Sequence, residues 1–93
     1  MSDYYGELKR AISQMHGHEA LWLGTEHIKE VFRGETVWEG DVEIFHLTNH
    51  PTAMHCYAWG VRRDDDKGWD VTAVLGTPPI NSAHDAVKAA IGA

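Results

Sequence analysis

Three segments of the sequence, residues 37–47, 53–63 and 69–75, are rich in the aromatic and β-branched side chains that favour strands. The turn residues Asn49-His50-Pro51 separate the first segment from the second, and the polar residues 64–68 separate the second from the third. Asparagine and the residue before a proline favour turns, and acidic residues followed by a glycine are typical of a hairpin tip. Short polar connections join antiparallel neighbours, so this part of the chain predicts an antiparallel sheet.

Two segments with the helical spacing of apolar residues bracket these strands. The first is predicted to begin at a cap formed by Ser2 or Asp3 and to end at Gly17. Its apolar stripe consists of Tyr5, Leu8, Ala11, Ile12 and Met15. The second is predicted to begin at Ser82, with Asp85 three residues on in the manner of a capping box. Its stripe consists of Ala83, Ala86, Val87, Ala90 and Ile91.

Residues 18–34 admit two interpretations. Thr25 can cap a short helix that places Ile28, Val31 and Phe32 on one side. Alternatively, residues 27–33 form a strand that turns at Gly34-Glu35 into the next one. We favour the strand, because Val31 and Phe32 prefer extended backbone and because the helix would be short. A break or bulge near Gly40 is expected in the strand that follows.

The connections also predict which residues face one another, and residues that face one another across an antiparallel pair share a face of the sheet. The predicted partners across the first turn are His46 and His55, Ile44 and Tyr57, and Val42 and Trp59. The predicted partners across the acidic tip are Val61 and Val71, Trp59 and Ala73, and Tyr57 and Leu75. One face thereby collects these apolar residues, with Trp38 and Trp69 near its ends. We predict an α+β fold in which both terminal helices cover that face of a three- to four-stranded antiparallel sheet, in α-β-β-β-α order, with residues 1–93 forming a single domain.

The opposite face of the sheet is then predicted to be open, acidic at one end and apolar at the other. An uncovered apolar surface on a small domain usually marks a contact site. We therefore expect a non-enzymatic module that binds a protein partner or a second copy of itself. The expected interface residues are Phe45, Leu47, Met54, Cys56, Ala58 and Val74, with Glu43 and Arg62 at the rim. Replacement of Phe45 by Asp is then expected to leave the fold intact and to change the oligomeric state.

Composition limits the partners and the surroundings. Lys and Arg number 8 and Asp and Glu number 14, and the resulting net charge of −6 argues against a nucleic-acid partner. No apolar run approaches the ~20 residues that span a bilayer, so no membrane partner is expected, and the N-terminal residues do not resemble a secretory signal. The single cysteine, Cys56, predicts a reducing, cytoplasmic location. No motif implies a cofactor.

The predicted order of helices and strands resembles the topology of the double-stranded-RNA-binding domain family. That family places a cluster of lysines at the start of its last helix. In this chain the matching stretch is Asn81-Ser82-Ala83-His84-Asp85, with only Lys88 beyond it. The resemblance is one of topology alone and implies no phosphate-binding role.

Histidines suggest an alternative function of a different class. His46 and His50 lie four residues apart, and His55 is predicted to face His46. Three imidazoles near one turn can hold Zn²⁺ or another divalent ion, or bind a small ligand. No Cys-x-x-Cys or His-Glu-x-x-His spacing supports this site, so a structural role is favoured. Cys56 has no oxyanion-hole signature beside it and is predicted to be a small buried hydrophobe rather than a nucleophile.

An acidic run suggests a third function. It consists of Glu35, Glu39, Asp41 and Glu43, with no basic residue between them. Such a run can attract a basic partner, as an acidic inhibitor or a mimic of nucleic-acid phosphates does. The alternative, which we favour, is a charged strand that resists edge-to-edge aggregation.

The four tryptophans are predicted to divide into two groups. Trp38, Trp59 and Trp69 are assigned to the core by the strand register. Trp22, within Leu21-Trp22-Leu23, is predicted to be exposed or to lie at an interface.

Overall fold

A computed structural model describes residues 4–64 and 68–92 of the chain. Its elements in chain order are α1 (Tyr4–His16), β1 (Ala20–Phe32), β2 (Glu35–Leu47), β3 (His55–Arg62), β4 (Trp69–Leu75) and α2 (Ala83–Gly92). The four strands form one antiparallel sheet in the order β1-β2-β3-β4. The predicted α+β class, the antiparallel sheet and a helix at each end are therefore confirmed. No helix in the described part of the chain is long and apolar enough to cross a bilayer.

The ambiguous residues 18–34 contain the first strand and the turn of a long hairpin. β1 begins at Ala20, seven residues before the predicted start, and Phe32 faces Glu35 across the turn. Arg33 and Gly34 both have positive φ, at 53° and 81°, which is the type I′ geometry that matches the twist of two-residue hairpins. The predicted strand is thus confirmed, and the turn lies one residue earlier than expected. Gly40 itself stays paired with Ile28, and the irregularity of β2 lies three residues earlier, at Val37, which a register shift leaves without a partner on β1.

The two other hairpins differ in how well the sequence predicted their register. His46 faces His55 and Ile44 faces Tyr57, as predicted. Across the acidic tip, however, Tyr57 faces Val74 rather than Leu75, a slip of one residue. Side chains alternate between the two faces of a sheet, so this slip places every side chain of β4 on the face opposite to the predicted one. Residues 65–67 of the predicted tip lie outside the described residues.

The two helices lie on opposite faces of the sheet, and the prediction that they share one face is wrong. Leu8 and Ile12 of α1 pack in a cluster of buried residues with Phe45, Leu47, Cys56 and Ala58, against which Val71, Ala73 and Leu75 of β4 also pack. Ala83, Ala86 and Val87 of α2 pack with Ile28, Val42, Tyr57 and Trp59. Successive residues of β3 alternate between the two clusters, as strand geometry requires. Both faces of the central strands are apolar because both are covered, and the fold has three layers.

The first helix is positioned by a contact where the sheet divides. The β2–β3 pairing ends at Glu43 and Ala58, and beyond it the backbone N–H of Gly60 donates a hydrogen bond of 2.8 Å to the hydroxyl oxygen of Tyr4. A Cβ atom at Gly60 would lie 3.1 Å from the Tyr4 ring, a tight contact, so glycine favours this close approach. At its other end α1 stops at Gly17, whose φ is +74°.

The second helix begins as its sequence predicts. The backbone N–H of Asp85 donates to Oγ of Ser82 at 3.1 Å, and that of Asn81 donates to Oδ2 of Asp85 at 3.1 Å. The His84 side chain contacts the Glu30 carboxylate and so joins α2 to β1. The corresponding caps predicted for the first helix, Ser2 and Asp3, lie outside the described residues.

Candidate interaction site

The surface predicted to be open is covered by α1. Phe45, Cys56 and Ala58 are each 0% exposed and Leu47 is 2% exposed. The expectation of a free apolar sheet face is therefore wrong. This face is covered because Cys56 and Ala58 are small, so Leu8 and Ile12 of the helix pack directly onto the strands.

The remaining residues of the interface expected from the sequence lie in different parts of the structure. Val74 lies on the opposite face, half-buried beneath α2, and Met54 is exposed in the β2–β3 connection. Glu43 is buried, at 2% exposure. The guanidinium of Arg62 lies over the Trp69 ring, 5.3 Å from its centroid. These residues do not form one surface.

The three candidate metal ligands do not converge. The rings of His46 and His55 lie edge to face, with centroids 6.3 Å apart. His50 instead uses Nδ1 to accept hydrogen bonds from the backbone N–H groups of Thr52 and Ala53, at 3.1 and 2.9 Å. Within residues 4–64 and 68–92, no group of three or more histidine, cysteine or acidic side chains is arranged to hold a metal ion. The role seen for His50 is that of a turn cap.

Burial also determines the chemistry of Cys56. Desolvation beneath α1 raises the pKa of its thiol to about 12. The thiolate is the nucleophilic form of cysteine, and this environment disfavours it. The side chain therefore behaves as a small core hydrophobe, which is the role that the sequence favoured.

The acidic run is largely engaged within the chain. The imidazole of His27 lies between Asp41 and Glu39, with Nδ1 2.8 Å from Oδ1 of the first and Nε2 2.9 Å from Oε2 of the second. The hydrogen bonds to Glu39 and then Asp41 raise the pKa of His27, and the same contact lowers that of Glu39. These exposed carboxylates are thus balanced by a histidine on the neighbouring strand.

The buried member of the acidic run, Glu43, holds an exposed aromatic ring in place. The indole Nε1 of Trp22 donates a hydrogen bond of 2.9 Å to Oε1 of Glu43, and Oγ1 of Thr25 donates one of 2.5 Å to the same oxygen. The Tyr5 ring of α1 packs edge-on against the indole, with centroids 5.5 Å apart. The Trp22 ring is therefore fixed on two sides while 47% of the residue stays exposed.

Exposed apolar residues continue along the strand on either side of Trp22. Leu21 is 56% exposed and Leu23 is 55% exposed. The exposure predicted for Trp22 is confirmed, and its neighbours share it. Because successive residues of a strand project to opposite faces, Leu21 and Trp22 expose apolar surface on both sides of β1. Exposed apolar surface of this kind is typical of an interaction site.

The same residues lie on an edge of the sheet. β1 pairs only with β2 in the described residues, so its other side has no strand partner. The Glu19 carbonyl oxygen accepts a hydrogen bond of 3.1 Å from the backbone N–H of Thr48, and thus points toward β2. Because backbone direction alternates along an antiparallel strand, Ala20 and Trp22 direct their own N–H and C=O groups outward. We call residues 20–23 the docking edge.

The rest of β1 is protected against pairing. A register shift between Trp22 and Gly24 leaves Leu23 as a bulge, where regular pairing of an added strand would stop. Beyond it the strand carries the charged side chains of Glu26, Lys29 and Glu30. Bulges and charges are the usual protection of an exposed edge, and the docking edge itself has no charged residue.

Two hollows lie beside the docking edge on the α1 side. One, of about 240 Å³, is lined by Tyr5, Lys9 and Trp22. The other, of about 360 Å³, is lined by Lys9, Arg10 and Ser13 of the helix and by Glu19, Ala20 and Leu21. Ala20 and Trp22 are two residues apart in a strand, so the hollows are spaced by one side-chain repeat.

A larger groove of about 480 Å³ lies at the other end of the molecule, between α2 and the β1–β2 turn. Its walls are formed mainly by Phe32, Val37 and Ile91, and its rim carries Lys88 and Glu30. The Glu30 carboxylate is already in contact with His84. No set of polar groups converges on the groove, so we assign it no ligand.

Comparison of the chain with known protein families, with curated proteins and with solved structures finds no match. The functional assignment therefore depends on the geometry of this chain.

Sequence patterns indicated Trp22 but not the site around it. The contribution of Tyr5 and Lys9 depends on how α1 crosses the sheet. The sequence-based prediction had assigned α1 to the wrong face of the sheet. A usable signal was present nevertheless: residues 20–25 are uncharged, whereas four of the next five, Glu26 to Glu30, are titratable. That contrast within one strand distinguishes an edge segment suited to pairing from a protected one.

Proposed function

We propose that this protein is a non-enzymatic interaction module that binds an extended segment of a partner protein by strand addition at the docking edge, with Trp22 as the anchor. The observation that carries the proposal is the half-exposed side chain of Trp22, held by a hydrogen bond to the carboxylate of Glu43, a residue that is 2% exposed. The interaction role expected from the sequence is kept, and its location moves from the sheet face to the β1 edge.

Fixation of the indole favours binding. Side chains that are mobile before association lose rotamer freedom when a partner orders them, and this loss opposes binding. The Trp22 ring is already held by Glu43 and by the Tyr5 ring, so little further ordering is needed. Tryptophan is also among the residues that contribute most to protein interfaces.

Strand addition supplies the remaining contacts. An extended segment laid along an unpaired edge gains main-chain hydrogen bonds, while alternate side chains enter pockets beside the strand. The docking edge offers both features, because Ala20 and Trp22 direct backbone groups outward and each adjoins a hollow. The three histidines of the alternative metal-binding function do not converge within the described residues. Three of the four carboxylates proposed for an acidic inhibitor, Glu39, Asp41 and Glu43, have partners within the chain.

Selection from a library of displayed peptides tests this function without knowledge of the natural partner. Peptides enriched on the immobilised protein are expected to lose affinity by about tenfold or more when Trp22 is replaced by Ser, as for an interface hot spot. Tyr5→Ser is a second test, because Tyr5 lines the same hollow and makes no hydrogen bond to Glu43 in the described structure. The matched control is Phe32→Ser, which removes another exposed aromatic residue of β1.

Circular dichroism confirms that each variant is folded before binding is measured. Equal binding of the enriched peptides to the parent protein, Trp22→Ser and Tyr5→Ser would contradict the proposal. So would a loss confined to Phe32→Ser, because it would move the site to the far end of the hairpin.

A further inference from the structure

We infer that the partner segment carries an acidic side chain two residues from an apolar one, so that the acidic residue lies opposite Ala20 and the apolar residue opposite Trp22. The inference rests on the proposed function and specifies the chemistry of its partner.

The spacing follows from strand geometry. Ala20 and Trp22 point their backbone groups outward, and a residue placed directly opposite either of them would project its side chain to the same face. That face is the α1 side, because Ala20 packs in the cluster beneath α1 and Trp22 contacts Tyr5. Side chains two residues apart on the added strand would therefore enter the two hollows, one each.

The hollow at Trp22 suits an apolar side chain. Two of its three lining residues are the aromatic rings of Tyr5 and Trp22, and the third is Lys9. The indole N–H is not available to a ligand, because it already donates to Glu43. A leucine, methionine or aromatic side chain would bury apolar area there without leaving a polar group unpaired.

The hollow at Ala20 suits an acidic side chain. Lys9 and Arg10 line it with the hydroxyl of Ser13, against the single carboxylate of Glu19. Arg10 lies 3.7 Å from Glu7 in an exposed pair, and within the described residues Lys9 forms no ion pair. The chain as a whole has a net charge of −6, whereas the lining of this hollow carries two cations against one carboxylate. An incoming carboxylate would pair chiefly with Lys9, with the Ser13 hydroxyl as a further donor and Arg10 shared with Glu7.

A second copy of this chain does not meet these requirements. If two β1 edges paired about a twofold axis, the residues entering the hollows would come from the same face of the copy's strand. On that face, the docking edge of the copy carries only Ala20 and Trp22, and neither is acidic. The copy would bring no carboxylate to Lys9, which forms no ion pair within the described residues, so the structure favours a different protein as the partner.

Capped octapeptides test the inference directly. The probes consist of threonine with leucine and glutamate two residues apart at the centre, made in both sequence orders because an added strand can run either way. Matched peptides carry glutamine or lysine in place of glutamate. Binding is measured from the backbone amide shifts of Ala20, Leu21 and Trp22 in ¹⁵N-labelled protein.

The glutamate peptide in one of the two orders is expected to bind about fivefold more tightly than its glutamine form and about tenfold more tightly than its lysine form, as for a partly exposed ion pair. Lys9→Glu is expected to reverse the preference in favour of the lysine peptide. Lys29→Glu, on the same strand beyond the bulge, is expected to leave the preference unchanged.

Two results would overturn the inference, and they differ in what they imply for the function. If glutamate, glutamine and lysine peptides bind equally and all shift the amides of Ala20 and Trp22, the acidic specificity is wrong and strand addition stands. If none of the peptides shifts these amides while display-selected peptides bind independently of Trp22, the inference and the proposed function both fail.

Discussion

The indole Nε1 of Trp22 lies 2.9 Å from Oε1 of Glu43, in a pair that joins a half-exposed aromatic residue on β1 to a buried carboxyl group on β2. Thr25 donates to the same oxygen, so one acceptor orients two side chains of the edge strand. Burial of a polar group is unfavourable unless it is hydrogen-bonded, and here one of the two hydrogen bonds comes from Trp22 at the proposed site. The stability of the fold and the shape of the docking edge therefore depend on the same contact.

Replacement of Glu43 is expected to weaken both the stability of the fold and binding at the docking edge. Glu43→Ala removes the acceptor of two hydrogen bonds, and we expect a loss of about 2–3 kcal/mol in the free energy of unfolding. Glu43→Gln keeps an acceptor oxygen in place and is expected to lose less than half as much. Urea denaturation measures the stability, and titration with a display-selected peptide measures binding. Full stability and full affinity in Glu43→Ala would show that the pair does not organise the edge.

Phe45→Asp is expected to unfold the protein rather than to change its oligomeric state. Phe45 is fully buried beneath α1, and truncation of a buried phenylalanine alone loses about 3–5 kcal/mol. A carboxylate at this position adds the unfavourable burial of a charge. Phe32→Asp serves as the control, since Phe32 is 60% exposed, and it is expected to change the stability by less than about 0.5 kcal/mol. A folded Phe45→Asp variant with altered sedimentation would restore the open-face interpretation.

The His27 cluster predicts a specific dependence of stability on pH. The pKa of His27 is raised above 6.5, so its contribution is present below 6.5 and is lost as the pH rises through the folded-state pKa. The pKa of Glu39 is lowered from 4.5, so its contribution is present above 4.5 and is lost as the pH falls through the lowered value. The cluster therefore stabilises the fold most between these two limits.

His27→Gln is accordingly expected to lower the melting temperature more at pH 5.5 than at pH 8.5. An NMR titration of the imidazole provides the direct measurement, with Glu39→Gln as the variant that should return the pKa of His27 toward 6.5. A His27 imidazole that titrates at or below 6.5 in the parent protein would mean that the two carboxylates do not hold it in solution.

Cys56 is expected to be inert in the folded protein. Its thiol is fully buried and burial raises its pKa to about 12, so a thiol reagent at pH 8 should modify it only after unfolding. The rate of modification is measured with and without denaturant, from the absorbance of the chromophore that a disulfide reagent releases. Modification of the native protein within minutes would show that α1 opens readily or that Cys56 is accessible.

Much of the fold was predictable from the sequence because its turns are explicit. The turn at residues 49–51 fixes how His46 meets His55, and the register of β2 and β3 follows from that pair. The acidic residues 64–68 define a hairpin tip but not its length, and an error of one residue there exchanges the two faces of β4. The position of the hairpin tip was therefore predictable, but the face of the sheet on which Val71 and Ala73 lie was not.

The placement of α1 was missed for a related reason. Cys56 and Ala58 are small, and on the basis of sequence they form a weaker apolar face than Tyr57 and Trp59, their neighbours on the other side of β3. Small residues do not signal exposure, however, because they allow a helix to pack closely. The candidate site shows the same limit: the exposure of Trp22 was predictable from its local sequence, but the hollow shared with Lys9 required the helix position.

Hydrogen exchange of the docking edge tests the central claim most directly. The amides of Ala20 and Trp22 point away from the sheet, whereas the amide of Leu21 already faces β2. Binding of a display-selected peptide is expected to slow exchange at Ala20 and Trp22 by at least about tenfold and to leave Leu21 nearly unchanged, because strand addition protects only the outward groups. Unchanged exchange at Ala20 and Trp22 when the peptide is fully bound would contradict strand addition at this edge.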